Sequence, residues 1–579
     1  MSVYIHSDSI VSPLGIGSEL NFNRVLNGDS GIKLHHNNSI STTPFFASIV
    51  PDELLSQVPK SFITPQQWSN FTKLEKMLLL SIEDALSAST IRANDSKTVL
   101  IFTTTKGNID LLTNGLSENV FLFKLAQKIG KTLANPNPVL TVSNACISGL
   151  SGLIAASRLI SSGRYDHAIV FGGDLVSEFT FSGFTSFKAI SPEPCKPYDQ
   201  ARLGINLGEA AATLVLSKLP SPVSLLNGTV SNDANHISGP SRTGEGLQIA
   251  INQTLKYSGV SPNQIGFISL HGTATSYNDE MECQALNALQ LESIPSHSLK
   301  GFFGHTLGAA GLVESALCVQ MLKSGKTIPS HGFSEPGTTL PMNIETNSGQ
   351  LKGDYILKTA SGFGGCNAAI LLAKSQPNPI DFHPIQTEIP PIRFAVQIEP
   401  GSISFNNQLL FSEPLSEGVD AWLNLAFRTL TPGYLKFFKM DKLSKLGFLA
   451  MSLAMRDFPL LEKYKSEEIA LVFANSSSSL DTDLLHQSSL NDKSNYFPSP
   501  AVFVYTLPNI VMGEVAIKFG IKGENIFLLS ESFSELNLRT QCELLFSQTD
   551  TKLAIVAWIE LLNDNFICKL GICEKPFGI

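Results

Sequence analysis

Four glycine-rich islands hold the side chains that could do chemistry. The first is TVSNACISGLSG (141–152). An apolar, strand-like run ends in a small polar turn, Cys146 follows, and small residues then open a helix-like stretch. A sharp strand-to-helix turn of this kind exposes one reactive atom. The amides and dipole of a helix N-terminus favour a thiolate there, lowering the thiol pKa. The second island, ISLHGTATSYNDEMECQAL (268–286), ends a strand at His271 and places Thr273 and Thr275 in the following turn, where α/β folds build sites. The third, SLKGFFGHTLGAAGLVESAL (298–317), surrounds His305 with glycines that allow close backbone approach. Lys300 lies five residues before it, and Glu314 lies nine residues after it in an apolar helix. A buried carboxylate needs a partner, and Lys300 is the expected one. The fourth, TASGFGGCNAAI (359–370), has three glycines around Phe363 and predicts a tight turn whose amides face a ligand.

One cysteine and two histidines on separate turns suit thioester chemistry. A thiolate can accept an acyl group from a thioester. Two imidazoles can donate hydrogen bonds to a second thioester carbonyl, stabilising the enolate formed when a carboxylate leaves. Two other chemistries use the same residue types. A cysteine protease needs one His and an Asn or Asp to orient it, which leaves the second His without a task. Zinc on Cys146, His271 and His305 would draw on ligands far apart in sequence.

These turns need strands that end beside them. Thr98–Thr103 (TVLIFT), His167–Gly172 (HAIVFG), Ala211–Leu216 (AATLVL) and Ile265–Leu270 (IGFISL) read as buried strands. Helical patterns such as Gly149–Leu159 and Glu280–Leu291 lie between them. The alternation predicts α/β layers. Lys374–Phe394 holds five prolines, enough to block helix and ladder alike, and is assigned as a linker. The chain beyond it echoes the beginning. KTVLIFTTTKGNIDLL (97–112) resembles EIALVFANSSSSLDTDLL (468–485), matching Phe102 with Phe473 and Asp110 with Asp481. KLEKM (73–77) resembles KLSKL (442–446), and HAIVFGG (167–173) resembles KLAIVAW (552–558). Nothing in the tail echoes residues 230–370, so the tail is expected to copy only the N-terminal half.

Composition narrows the classes. Of 579 residues, 43% are hydrophobic and 16% charged, which excludes intrinsic disorder. A net charge of −9 with no basic run argues against nucleic acid. No stretch reaches the roughly 18 apolar residues of a membrane span; the best, around Gly308–Met321, carries Glu314. The first residues show neither the basic nor the apolar region of a signal peptide, so a cytoplasmic location is expected. The eight cysteines are scattered, with no CxxC pair, which argues against a disulfide framework and structural zinc.

At its four islands the sequence resembles the β-ketoacyl-acyl-carrier-protein synthases, the condensing enzymes of fatty-acid and polyketide synthesis, over about residues 1–373. The motifs that carry the resemblance are SNACISG, HGTAT, Lys300 before GHTLGAAG, GFGGCN, and KPYDQARLGINLGEAA (196–211). The resemblance implies an α/β, thiolase-like, five-layered α-β-α-β-α fold, with halves of about 1–220 and 221–373. It implies that Cys146 takes an acyl chain from an acyl carrier protein and that His271 and His305 bind malonyl thioester and assist its decarboxylation. It places the oxyanion hole at the N–H groups of Cys146 and Phe363, with Phe363 also gating, and makes Lys300, Glu314, Thr273 and Thr275 supporting residues. No cofactor or metal is implied. Ala210 and Asn144 depart from the family pattern, and neither removes a catalytic group.

The tail, 395–579, resembles the N-terminal half of the same family. Aligning Ser143 with Ser530 puts Phe533 opposite Cys146, so the tail is expected to be inactive. It looks like the truncated chain-length-factor-like proteins of aryl-polyene and flexirubin systems. The expectation is a tail packed on the synthase's N-terminal half, with Phe533 plugging or lining the acyl tunnel. The alternative is a non-elongating chain-length factor or scaffold for a separate ketosynthase. Further dimerisation is left open.

Overall fold

The structure, a computed structural model, describes residues 3–375, 391–457, 460–492 and 496–576. Strand Thr98–Thr103 is buried at every position, and His167–Asp174 at all but its first. Strands this apolar must be covered on both faces, which a largely parallel sheet between helices achieves. The first sheet runs Leu140–Val142, Thr98–Thr103, His167–Asp174, Ala210–Ser217, Val3–Ser12, with the first three strands parallel and the rest antiparallel. The second sheet repeats this order and sense: Ser296–His297, Ile265–Ser269, Tyr355–Gly362, Cys366–Lys374, Val223–Asn232.

Helices Lys73–Ser87 and Leu122–Thr132 cover the outer face of the first sheet, and Glu245–Ser258 and Ser276–Ala288 that of the second. Between the sheets lie Ser148–Ser161 and Ala310–Ser324, buried along most of their length. This is the expected thiolase-like α-β-α-β-α stack. The two central helices touch through glycines. A Cβ on Gly149 would lie 2.8 Å from the Leu312 nitrogen, and one on Gly311 would lie 2.7 Å from the Leu150 nitrogen. Only glycine permits that approach. It brings together the two helix starts that follow Cys146 and His305.

The tail builds the same sheet a third time: Asn525–Leu529, Ile469–Asn475, Leu553–Leu562, Asn565–Glu574, Arg393–Glu399. A hairpin, Ser402–Phe405 and Gln408–Ser412, extends it. The echoes seen in sequence hold equivalent places: helices Lys73–Ser87 and Lys442–Asp457 precede the strands carrying the buried Phe102 and Phe473. The tail's first strand begins at Arg393, inside the span assigned to the linker; most of that linker, 376–390, lies outside the described residues.

The tail docks edge to edge on the first sheet. Leu528 and Leu529 pair antiparallel with Val142 and Thr141, so the two sheets become one. The pairing continues past the strand end. Ser143 N–H donates to the Phe527 carbonyl (3.1 Å). The Asn144 side chain then accepts from Phe527 N–H (2.7 Å) and donates to the Asn525 carbonyl (2.9 Å). Asn144 thus extends the ladder by imitating a peptide group, which gives its departure from the family pattern a structural role. Beside it, Arg158 grips Glu524 with two bonds (3.1 and 2.5 Å), both side chains at most one-tenth exposed. Glu524→Ala would leave a buried guanidinium unpaired, costing about 3–5 kcal/mol. We expect a lower unfolding temperature with tail and body still melting in one transition; an unchanged melt would refute the seam.

Candidate active site

Cys146 sits where strand Leu140–Val142 gives way to helix Ser148–Ser161, on a single helical turn, Ala145–Ile147. Ala145 has φ 47°, a left-handed conformation unusual for a residue with a side chain. This is the strained elbow the sequence predicts. Its electrostatics differ from that expectation. Burial pushes the Cys146 thiol up to about 12, against the opposing pull of the Lys300 ammonium. Desolvation outweighs the helix terminus, so the resting thiol keeps its proton.

His271 and His305 stand with ring centroids 5.1 Å apart and planes at 82°. In each ring Nδ1 faces a donor. Lys300 Nζ lies 3.2 Å from His271 Nδ1, and Leu307 N–H donates to His305 Nδ1 at 3.2 Å. Both imidazoles are therefore assigned the tautomer with the proton on Nε2. Burial, aided by Lys300 and Lys358, holds both rings well below the usual histidine range. They are neutral donors at physiological pH.

The predicted Lys300–Glu314 pair is present at 2.8 Å, and Lys300 Nζ also donates to the His271 carbonyl at 2.6 Å. The sequence analysis missed the second cation. Lys358 Nζ lies 2.6 Å from the other Glu314 oxygen and donates to the Thr359 carbonyl at 2.6 Å. Burial alone would raise the Glu314 carboxyl; the two lysines outweigh it and hold the group below its ordinary value. Lys358 sits on a strand among apolar residues, and only tertiary structure shows what it faces.

Other missed residues hold the turns. Glu282 accepts from the His271 and Gly272 N–H groups (2.7 and 2.8 Å), and Asp279 from Thr273 N–H (3.0 Å). Both reach back from helix Ser276–Ala288, and burial raises the Asp279 carboxyl to about 7. Asp174, at the end of its strand, accepts from Thr105, Lys106 and Gly308 N–H groups, tying the floor behind Cys146 to the turn after His305. Two acids of NDEME, Asp279 and Glu282, were the available signal: they lie on the buried face of a helix, where an acid must have partners.

A cavity of about 380 Å³ joins Cys146, His271, His305, Thr273, Thr275 and Phe363. Thr273 and Thr275 share a hydroxyl bond (2.8 Å). Lys300 and Glu314 are absent from the lining and act through His271. The Phe363 turn adjoins the cysteine: a Cβ on Gly362 would lie 3.1 Å from Cys146 N. Phe503, Thr506 and Leu507 of the tail also line the cavity. Lys106 ends this side, paired with Asp483 of the tail at 2.8 Å and donating to the Thr506 carbonyl. Phe533 is not in the lining. It packs against Phe394 and Trp558 under Lys569, on the tail's own sheet. The expectation that it plugs the tunnel is corrected: the elbow it occupies belongs to the tail's sheet, while a different segment, 503–507, reaches the cysteine's cavity. Among the described residues no three His, Cys, Asp or Glu side chains converge as metal ligands. Among them, too, no helix is long and apolar enough to cross a membrane.

Parts of the chain match known proteins. Residues 124–221 match the β-ketoacyl synthase N-terminal domain and 224–334 its C-terminal domain. A putative polyketide β-ketoacyl synthase 1 of Streptomyces cyaneus is 31% identical over 269 residues, 43% of this chain and 63% of that protein. A putative mitochondrial 3-oxoacyl-[acyl-carrier-protein] synthase of Schizosaccharomyces pombe is 26% identical over 427 residues, 63% of this chain and 97% of that protein. The matched spans thus range from under two thirds to nearly all of these relatives. Among solved structures, the ketosynthase ApeO in complex with its chain length factor ApeC from Xenorhabdus doucetiae is similar at 27% identity and TM-score 0.55, covering 65% of this chain and 98% of that one. The PfaC keto synthase–chain length factor shares the fold over 100% of this chain and 79% of its own, at TM-score 0.78 and 14% identity. Residues 124–334 are thus similar to the two β-ketoacyl synthase domains, and the chain shares the thiolase-like fold of the ketosynthase structures.

The raised thiol has a measurable consequence. Iodoacetamide attacks the thiolate, whose fraction rises tenfold per pH unit below the pKa. Labelling of Cys146 should accelerate from pH 7 to 10 without levelling. A plateau below pH 8 would show that the helix terminus, not burial, governs the group.

Proposed function

We propose that the protein is a β-ketoacyl-acyl-carrier-protein synthase, condensing an acyl group on Cys146 with malonyl carried by an acyl carrier protein. The observation that carries this reading is a pair of buried imidazoles, each with a donor facing Nδ1 so that Nε2 is left to carry the proton, in one cavity with an elbow cysteine. A protease would need one histidine as a base; two neutral donors side by side suit a developing oxyanion.

In the first half-reaction the Cys146 sulfur bonds to the acyl carbon, and the carrier's thiol leaves with the proton. The N–H groups of Cys146 and Phe363 receive the charge on the acyl oxygen. In the second, His271 and His305 donate to the malonyl thioester oxygen. The bond to the carboxylate breaks, carbon dioxide leaves, and the electron pair enters the enolate. The enolate carbon attacks the Cys146 thioester, and the sulfur departs as a thiolate that takes a proton from water, the original one having left with the carrier's thiol. No step requires a cofactor. The tail acts as an inactive, chain-length-factor-like module, supported by Phe533 at its elbow and by the fold shared with ketosynthase–chain length factor structures. The products belong to fatty-acid or aryl-polyene and polyketide-type chain elongation in the cytoplasm.

Intact-protein mass spectrometry tests the first half. Wild type incubated with acyl-carrier protein should gain one acyl adduct, and Cys146→Ala none. His271→Ala and His305→Ala should still acylate while condensation falls by about 10²–10³. An adduct retained by Cys146→Ala, or none on the wild type with any donor, would overturn the reading and favour the scaffold.

A further inference from the structure

The turn that carries Phe363 is held from two sides. Gly364 and Gly365 have φ 89° and 70°, so the turn's shape needs glycine, and its carbonyls point away from the hairpin. Within the synthase body, Asn232 donates to the Gly364 carbonyl at 2.9 Å and Asp233 N–H to the Gly365 carbonyl at 2.7 Å. The Phe363 carbonyl is held from outside. Asn509 of the tail donates to it through Nδ2 at 2.8 Å, and the Cys366 thiol approaches at 3.3 Å. The same amide nitrogen lies 3.8 Å from Cys366 Sγ.

Asn509 stands at the N-cap of helix Ile510–Phe519. An asparagine there ordinarily turns its oxygen onto the first N–H groups of its own helix. This one makes no such bond, and its Oδ1 is buried without a partner. A buried, unpartnered acceptor costs stability, so helix capping does not explain the amide's orientation. The donor on Phe363 does. The contact is also close-packed: Cβ positions on Gly364 and Gly513 would fall 2.6 Å from Asn509 Nδ2 and 2.8 Å from the Gly364 carbonyl, respectively.

We infer that Asn509 is a positioning residue for the synthase site, by which the tail fixes the Phe363 turn against Cys146. The inference rests on the function proposed above. The tail then supplies part of the catalytic geometry as well as a cavity wall. Without the anchor the Phe363–Gly364 peptide would keep its Gly364 N–H bond to the Ile237 carbonyl (2.6 Å) and the Cys366 thiol contact, but its carbonyl would lose its amide donor. The loosened plane would shift the Phe363 backbone torsions and so the aim of the preceding N–H toward Cys146.

Two variants test it. Asn509→Leu keeps the volume and removes the donor; Asn509→Ser keeps a shorter donor. Two readouts are needed: steady-state condensation of acyl- and malonyl-carrier protein, and amide hydrogen exchange of the 361–366 turn, which does not depend on activity. We expect Asn509→Leu to lower kcat about tenfold or more while KM for the acyl donor stays within about twofold, as for lost alignment at an oxyanion site. Exchange of the turn should rise, and Asn509→Ser should recover part of both. If Asn509→Leu condenses like wild type, or the turn's exchange is unchanged, the inference is overturned. If Asn509→Leu does not fold, Asn509→Ala carries the comparison: lowered kcat with raised turn exchange supports the inference, and wild-type values of either overturn it. If the wild type does not condense, the proposed function fails, while the exchange still decides whether Asn509 holds the turn.

Discussion

The site depends on one buried carboxylate. Glu314 lies between Lys300 and Lys358, all three inaccessible to water in the central layers. Two buried cationic side chains without an anion between them would repel each other. Glu314 pairs with both, at 2.8 and 2.6 Å, and so fixes where they sit. Lys300 is held against His271, where it sets the ring's tautomer and, with burial, keeps the ring neutral. Lys358 secures the Ser269 and Leu270 carbonyls, where the His271 strand ends. In the proposed reaction the histidines can then donate to an oxyanion, because burial first, and the lysines behind them second, keep them from holding a second proton.

Around this centre the chain uses one sheet design three times. Two copies face each other and enclose the helices behind Cys146 and His305. The third joins the first edge to edge through Leu528–Leu529 and Thr141–Val142. Fusion lets that edge diverge. The seam is specified by groups that a repeated surface would not need on both sides: Asn144 imitating a strand peptide, Arg158 on Glu524, and Lys106 on Asp483. All lie within a few residues of the nucleophile elbow, its helix or its cavity, so docking and site geometry are linked physically.

Much of this was legible in sequence because it is local. Cys146, His271, His305 and Phe363 each sit in a turn whose glycines and flanking strand mark it, and the Lys300–Glu314 pair follows from the cost of an acid in an apolar helix. The third sheet was visible as a weak repeat because buried strands keep their apolar pattern. What escaped was set by distant partners. Lys358 lies in an apolar strand whose neighbours are close only after folding. Asn509 looks like an ordinary helix cap, and Phe533 looked like a plug because alignment gives a position in the copy, not the direction in which the copy faces. The Cys146 thiol is raised because burial, which no local motif reveals, exceeds the helix-terminus effect that the motif does reveal.

The most direct measurement of the central claim is ¹⁵N NMR of the protein labelled at its 11 histidines, with His271 and His305 assigned through His271→Gln and His305→Gln. Both should be neutral and protonated on Nε2 at pH 6.5 and above, since burial, aided by Lys300 and Lys358, holds their pKa values well below 6.5. Loss of the Nε2–H tautomer for His271 in a Lys300→Met variant would confirm that Lys300 sets it. Titration of either ring near pH 6.5 in the wild type, or a proton on Nδ1, would contradict the account.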